Sequence, residues 1–355
     1  MIDNKNLTID EIFILAVKNH QKKNFDNAIN LYGETLKIQP NFIESHNNLG
    51  VIFDELGEYQ KAINCYRKVI EIDPNISNTY FNLGNIFRKL EEDQNAIDCY
   101  KKVIKINSKH VDAYYNLGLI FGKISDYEKS KDCFKKIIEI DPDNEKAYNN
   151  LGATFIFLGE NQNAIQFCKK AIEINPKNLA SHNNLGKIFR ELGEDQKALQ
   201  CYKKIIKIDP DNEAAYNNLG VIFKSLGEDQ KAIQCYEKVI KINPAHDVAY
   251  NNLGIIHAGV GNHQISVENY RKALINRSEI DFEIETKKNQ NIQPATSQFF
   301  LELTNKCNFH CEFCPSDSQT RLHGYMDLSL VKKIFDEISK KKIVVIVSLH
   351  LMGEP

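Results

Sequence analysis

Residues 213–246, EAAYNNLGVIFKSLGEDQKAIQCYEKVIKINPAH, decide how most of this chain folds. Tyr216, Leu219, Gly220 and Phe223 fall at i, i+3, i+4 and i+7, one face of a helix. Gly227 marks a turn, and Ala232, Tyr236 and Val239 then mark the apolar face of a second helix. Pro244 closes the stretch, because its ring and missing N–H end a helix. Gly220 and Ala232 lack bulk, so close approach of the two helices is expected.

The same pattern returns every 34 residues. Leu-Gly recurs at Leu49-Gly50, Leu83-Gly84, Leu117-Gly118, Leu151-Gly152, Leu185-Gly186, Leu219-Gly220 and Leu253-Gly254. A small residue keeps phase at Ala62, Ala96, Ser130, Ala164, Ala198, Ala232 and Ser266. An aromatic follows four residues later in each unit except one, where Cys168 stands. One such helix pair cannot bury its own apolar faces, so stacked pairs share a continuous core.

This repeat resembles the tetratricopeptide repeat (TPR). The resemblance covers residues 9–280 as eight units, the first and last degenerate. In the first, Leu15-Ala16 replaces Leu-Gly, and in the eighth His257 and Ser266 take core positions. It implies a helix-turn-helix solenoid with a concave groove that binds a peptide or protein segment. The residue before each Leu-Gly is asparagine from the second unit on: Asn48, Asn82, Asn116, Asn150, Asn184, Asn218 and Asn252. A side-chain amide both donates and accepts, so this file can clamp an extended peptide backbone, as the similar ladder of O-GlcNAc transferase does. Equally, it can brace neighbouring helices. His46 and His182 take the slot filled elsewhere by tyrosine, which points to core packing.

Nine cysteines divide into two groups. Cys65, Cys99, Cys133, Cys201 and Cys235 share one phase of the repeat, and Cys168 is displaced by one. Equivalent positions on neighbouring helices lie roughly 8–10 Å apart, too far for a disulfide's Cα separation of about 7 Å or less. Buried free thiols are expected.

The second group, Cys307, Cys311 and Cys314, has C-x3-C-x2-C spacing and follows a strand-like run, Phe299–Thr304. Val331, Ile334, Phe335 and Ile338 then mark a helical face, and Ile343–Leu349 reads as a buried parallel strand, giving a βαβ order. With Phe313 before the third cysteine and Gly353-Glu354-Pro355 after the second strand, this segment resembles the start of the radical S-adenosylmethionine (radical SAM) enzymes. The resemblance implies a [4Fe-4S] cluster on Cys307, Cys311 and Cys314, with S-adenosyl-L-methionine on the iron that lacks a protein ligand. Phe313 would pack beside the pair, and Gly353 and Glu354 would bind the cofactor's amino group, although Met352 replaces the family's first glycine. An external electron donor then drives cleavage to a 5′-deoxyadenosyl radical. Arg321–Met326 further resembles members with a SPASM extension, which modify peptides or proteins. A zinc site is the competing reading and needs a fourth ligand, for which His310 and His323 are candidates.

The expected organisation is mainly α: a tail at 1–8, the TPR array at 9–280, a linker at 281–298, and at 299–355 the incomplete α/β opening of a radical SAM partial barrel. Such a barrel continues through further βα units, so turnover is not expected of these 355 residues alone. The functional expectation is radical chemistry on a peptide or protein recruited by the groove. The alternative is a non-catalytic interaction scaffold with a vestigial tail. Net charge is −2, which favours neither nucleic acid nor an anionic membrane. No apolar run reaches spanning length and the N-terminus lacks a basic-then-apolar leader, so a cytoplasmic protein is expected.

Overall fold

A computed structural model describes residues 7–288, 297–299 and 345–347, with side chains described through residue 276. Sixteen helices occupy the described residues, and the chain divides into two compact units, Met1–Ile188 and Phe189–Pro355.

The first unit holds α1 (Ile9–Gln21), α2 (Phe25–Ile38), α3 (Ile43–Glu55), α4 (Tyr59–Ile72), α5 (Ser77–Lys89), α6 (Asp93–Ile106), α7 (Val111–Lys123), α8 (Tyr127–Ile140), α9 (Glu145–Phe157) and α10 (Asn161–Ile174). The division falls within α11 (Leu179–Glu191). The second unit continues with α12 (Asp195–Ile208), α13 (Glu213–Ser225), α14 (Asp229–Ile242), α15 (Asp247–Gly259) and α16 (His263–Lys288). Odd-numbered helices from α3 on carry the Leu-Gly signature and even-numbered ones, α10 excepted, the aromatic.

Each turn inside a pair uses one residue of left-handed backbone. Glycine fills it at Gly57, Gly159, Gly193, Gly227 and Gly261, but Lys23, Glu91 and Ser125 adopt it at φ of 57°, 60° and 62°. Most odd helices carry a side-chain N-cap, although α3 and α5, preceded by Phe42 and Ile76, do not. The Asn144 and Asn212 side chains accept from the Ala147 and Ala215 N–H groups at 3.0 Å, and His110 and His246 use Nδ1 for Ala113 and Ala249. Proline is not needed to end an even helix. α6 stops at Ile106 with Ser108 where other units have proline, closing on the same Asn107 N–H to Val103 carbonyl bond.

Glycine in Leu-Gly makes room for a ring rather than for a small neighbour. A β-carbon on Gly220 would meet the Tyr236 ring at 2.7 Å, and one on Gly118 would meet the Phe134 ring at the same distance. In the exceptional unit a β-carbon on Gly152 would stand 2.5 Å from the Cys168 sulfur. There cysteine and aromatic have traded places, and Phe167 stacks on Phe155 with centroids 5.3 Å apart. Ser130 and Ser266, at the small-residue position, donate to the carbonyls of Gly118 and Gly254 at 2.8 Å, so their buried hydroxyls are paired.

One expectation needs correction. α16 runs to Lys288, eight residues into the stretch read as linker. Neither glycine nor proline occurs from Asn262 to Ile292, so nothing local ends that helix where the repeat phase stops. Of the α/β segment expected at 299–355, only Phe299 and Val345–Val347 are described, and the rest of that expectation lies outside the described residues. β1 (Ser297–Phe299) pairs with β2 (Val345–Val347) in parallel over three residues, Ser297 opposite Val345.

Candidate functional site: the asparagine ladder

Each ladder asparagine stands sixteen residues after the aromatic position of the preceding even helix. That register sets its chemistry. In the first unit the Asn116 amide donates to the Tyr100 hydroxyl at 3.2 Å and to Asn85 Oδ1 at 3.3 Å, while Tyr100 itself donates to Asn85 at 2.7 Å. Asn82 lies against Tyr66 and Asn48 against Tyr32, whose hydroxyl closes no bond of its own. Burial nevertheless dominates and pushes these phenols up, Tyr100 to about 12.

Where the aromatic hydroxyl is missing, the amide turns elsewhere. Asn150, paired by register with Phe134, donates to the Tyr115 hydroxyl at 3.3 Å and to the Lys146 carbonyl at 2.9 Å. Asn184, paired with Cys168, donates to Asn149 Oδ1 at 3.2 Å, an oxygen that also accepts from Ser181 at 2.9 Å. Asn149 belongs to a second row of asparagines, Asn47, Asn149, Asn183, Asn217 and Asn251, each one residue before the ladder. Beside Asn48, a cleft of about 370 Å³ opens between Val17, His20, Tyr32 and Glu55.

In the second unit the pattern changes. The side chains of Asn218 and Asn252 are half-buried and close no hydrogen bond with described residues. The hydroxyls at the corresponding register, Tyr202 and Tyr236, are enclosed and unbonded, as is Asn217 Oδ1.

His46 and His182 do more than fill core. Their Nε2 atoms lie 2.8 and 3.1 Å from the Pro40 and Pro176 carbonyls, tying each odd helix to the loop before it. The repeat cysteines are free thiols. Burial raises Cys65 and Cys235 to about 11, and Cys99 and Cys133 to about 12, so none of these four is a ready nucleophile.

Cys307, Cys311, Cys314, Phe313, Gly353 and Glu354 lie outside the described residues. Among the described residues no cluster of three or more His, Cys, Asp or Glu is arranged to hold a metal. Nor is any helix there long and apolar enough to cross a membrane.

Family profiles agree with this geometry. One described as Tetratricopeptide repeat matches residues 43–76, 111–144, 145–178 and 213–246. A second of that description matches 65–98 and 167–200, and one described as TPR repeat matches 84–125 and 186–227. Together they run without a gap from 43 to 246, more than half the chain. The chain belongs to the tetratricopeptide repeat family. No curated protein sequence matches it. Among solved structures, the C-terminal part of a TPR repeat-containing protein from Cytophaga hutchinsonii shares the fold at 17% identity and TM-score 0.59, over 68% of this chain and 99% of that one. MamA is 30% identical over 48% of this chain and 92% of its own, with TM-score 0.45. YrrB, described as a TPR protein with an unusual peptide-binding site, is 25% identical over 52% and 95%, with TM-score 0.44.

Proposed function

We propose that this TPR chain is a protein-interaction scaffold whose odd-numbered helices bind an extended segment of a partner. The observation that carries this reading is the asparagine row, repeated at one register on every odd helix from α3 to α15. Side-chain amides match a peptide backbone, donor to carbonyl and acceptor to N–H, without reading side chains. The test is selection of 12-residue peptides from a random library on the full chain, followed by amide hydrogen exchange with each selected peptide bound. Protection gathered on odd helices supports the reading; protection confined to even helices refutes it.

A second reading rests on the cysteine spacing with Phe313 and Gly353-Glu354-Pro355. Cys307, Cys311 and Cys314 would hold a [4Fe-4S] cluster, and Gly353 and Glu354 would meet the amino group of S-adenosyl-L-methionine. When bound, these groups supply one-electron reductive cleavage to a carbon radical. The parallel pairing of β1 with β2 supports a βαβ connection between the two halves of the motif. Anaerobic reconstitution followed by iron and sulfide counts is the test. Loss of the cluster in Cys311→Ala is expected, and bound zinc, or iron unchanged by that substitution, overturns the assignment.

A further inference from the structure

The net charge of −2 is a balance between faces that differ. On the even helices of the first unit two adjacent cations recur at one register: Lys101-Lys102 on α6, Lys135-Lys136 on α8 and Lys169-Lys170 on α10. α4 carries Arg67-Lys68 there, and every one of these side chains is exposed. The next residue in each helix, Val69, Val103, Ile137 or Ala171, is buried, so helical periodicity turns the cations away from the core.

What neutralises them changes at α6. Three residues after the second cation the other helices place glutamate, and Lys68–Glu71, Lys136–Glu139 and Lys170–Glu173 close ion pairs at 2.6, 2.7 and 3.0 Å. α6 has Lys105 at that position. Between Asp98 and Asp112 the chain carries no acid, and Lys101, Lys102, Lys105 and Lys109 are exposed and close no ion pair with described residues. Lys101 and Lys105 are one turn apart, where like charges oppose the helix, and an anion laid along them relieves that repulsion.

The class of anion follows from what accompanies the cations. Of the large apolar side chains exposed among the described residues, only Ile106 lies on α4, α6, α8 or α10. A protein partner is anchored by aromatic or apolar hot spots. A bilayer is held stably only when an inserted chain adds to a polybasic patch. Single strands stack their bases on aromatic rings. A duplex needs none of these, because its phosphates carry one negative charge per about 1.7 Å and lysines bind them by releasing counterions. Lysine, a hydrated point charge, imposes no fixed hydrogen-bond geometry on such a backbone.

We propose that the even-helix face of the first unit, centred on Lys101, Lys102 and Lys105 of α6, binds double-stranded nucleic acid through its phosphates without reading sequence. This function lies on helices that the asparagine row does not occupy. On α12 Lys203, Lys204 and Lys207 repeat the trio, but Glu237 on α14 interrupts the file, so the second unit contributes less.

Fluorescein-labelled DNA and RNA duplexes of one arbitrary sequence, titrated with the full chain by anisotropy from about 50 to 200 mM KCl, test this. Binding of either duplex is expected, and the tighter arm names the source of the phosphates. Four lysine contacts predict a slope of log K against log[KCl] of about −3.6 or steeper. The triple variant Lys101→Gln/Lys102→Gln/Lys105→Gln should flatten that slope by about 2.7 and weaken binding at least tenfold in the lower salt. Its circular dichroism spectrum should not change, since the replaced side chains are exposed. Lys203→Gln/Lys204→Gln/Lys207→Gln should cost less than half as much slope. A slope unmoved by the α6 triple, equal loss from the α12 triple, or binding to phosphatidylserine vesicles with no binding to either duplex overturns the proposal.

Discussion

Gly50 lies so close to Tyr66 that a β-carbon on the glycine would stand 2.6 Å from the ring. Tyr66 is buried and cannot swing out without opening the core it shares with Leu83 and Ile86. Gly50→Ala should therefore destabilise by roughly 1–3 kcal/mol, the usual cost of overpacking. Gly33 is the control: it lies inside α2 with nothing within 4 Å of a new β-carbon. Gly33→Ala should stabilise by about 0.8–1 kcal/mol through helix propensity. Urea denaturation of the two variants reads opposite signs for the same chemical change.

Glu91 and Ser125 hold left-handed backbone that their neighbours in the array give to glycine. A β-carbon there costs roughly 1–2 kcal/mol, so Glu91→Gly and Ser125→Gly should each raise stability by up to about that amount. Glycine's greater freedom in the unfolded chain offsets part of the gain. A fall in denaturation midpoint for both would show that the turn is held by side-chain contacts instead.

His246 caps α15 through Nδ1, 3.0 Å from the Ala249 N–H. His246→Ala should cost about 1 kcal/mol, and His246→Asn should recover most of it, because asparagine performs the same task before α9 and α13. Thermal unfolding of the three proteins separates loss of the cap from loss of the ring.

Alkali should loosen the array. Cys65 and Cys235 are raised to about 11, and Cys99, Cys133, Tyr100 and Tyr202 to about 12, with burial the leading cause for each. The neutral forms are thus favoured in the fold. For the thiols, that stability is fully present below pH 9, their ordinary value, and drains away as pH rises through 11 and 12. Urea midpoints measured from pH 7 to 11 should stay level and then drop, and iodoacetamide should label native thiols far more slowly than unfolded ones.

The helices were legible because Leu-Gly, the small residue and the aromatic fix two apolar faces at once. What the glycine meets was not. Sequence spacing brings Gly220 and Ala232 to mind as mutual neighbours, whereas the close contact is with Tyr236, whose reach across the pair no linear pattern encodes. The histidines at 110 and 246 are similarly opaque, since their capping depends on which ring nitrogen faces an N–H. Asparagine at a constant register was plain to read, but its division into bonded and unbonded members was not. That division turns on hydrogen-bond closure rather than residue type: Tyr100 bonds Asn116, while Tyr236 stands unbonded at the same register before Asn252.

Within each unit the helices pack chiefly on those next to them in sequence. Gain or loss of one complete 34-residue block therefore leaves each surviving helix with a neighbour of the type it had before. Unequal recombination between such blocks can lengthen or shorten the gene without rewiring the interior, and a row carrying a new ligand preference can be duplicated whole.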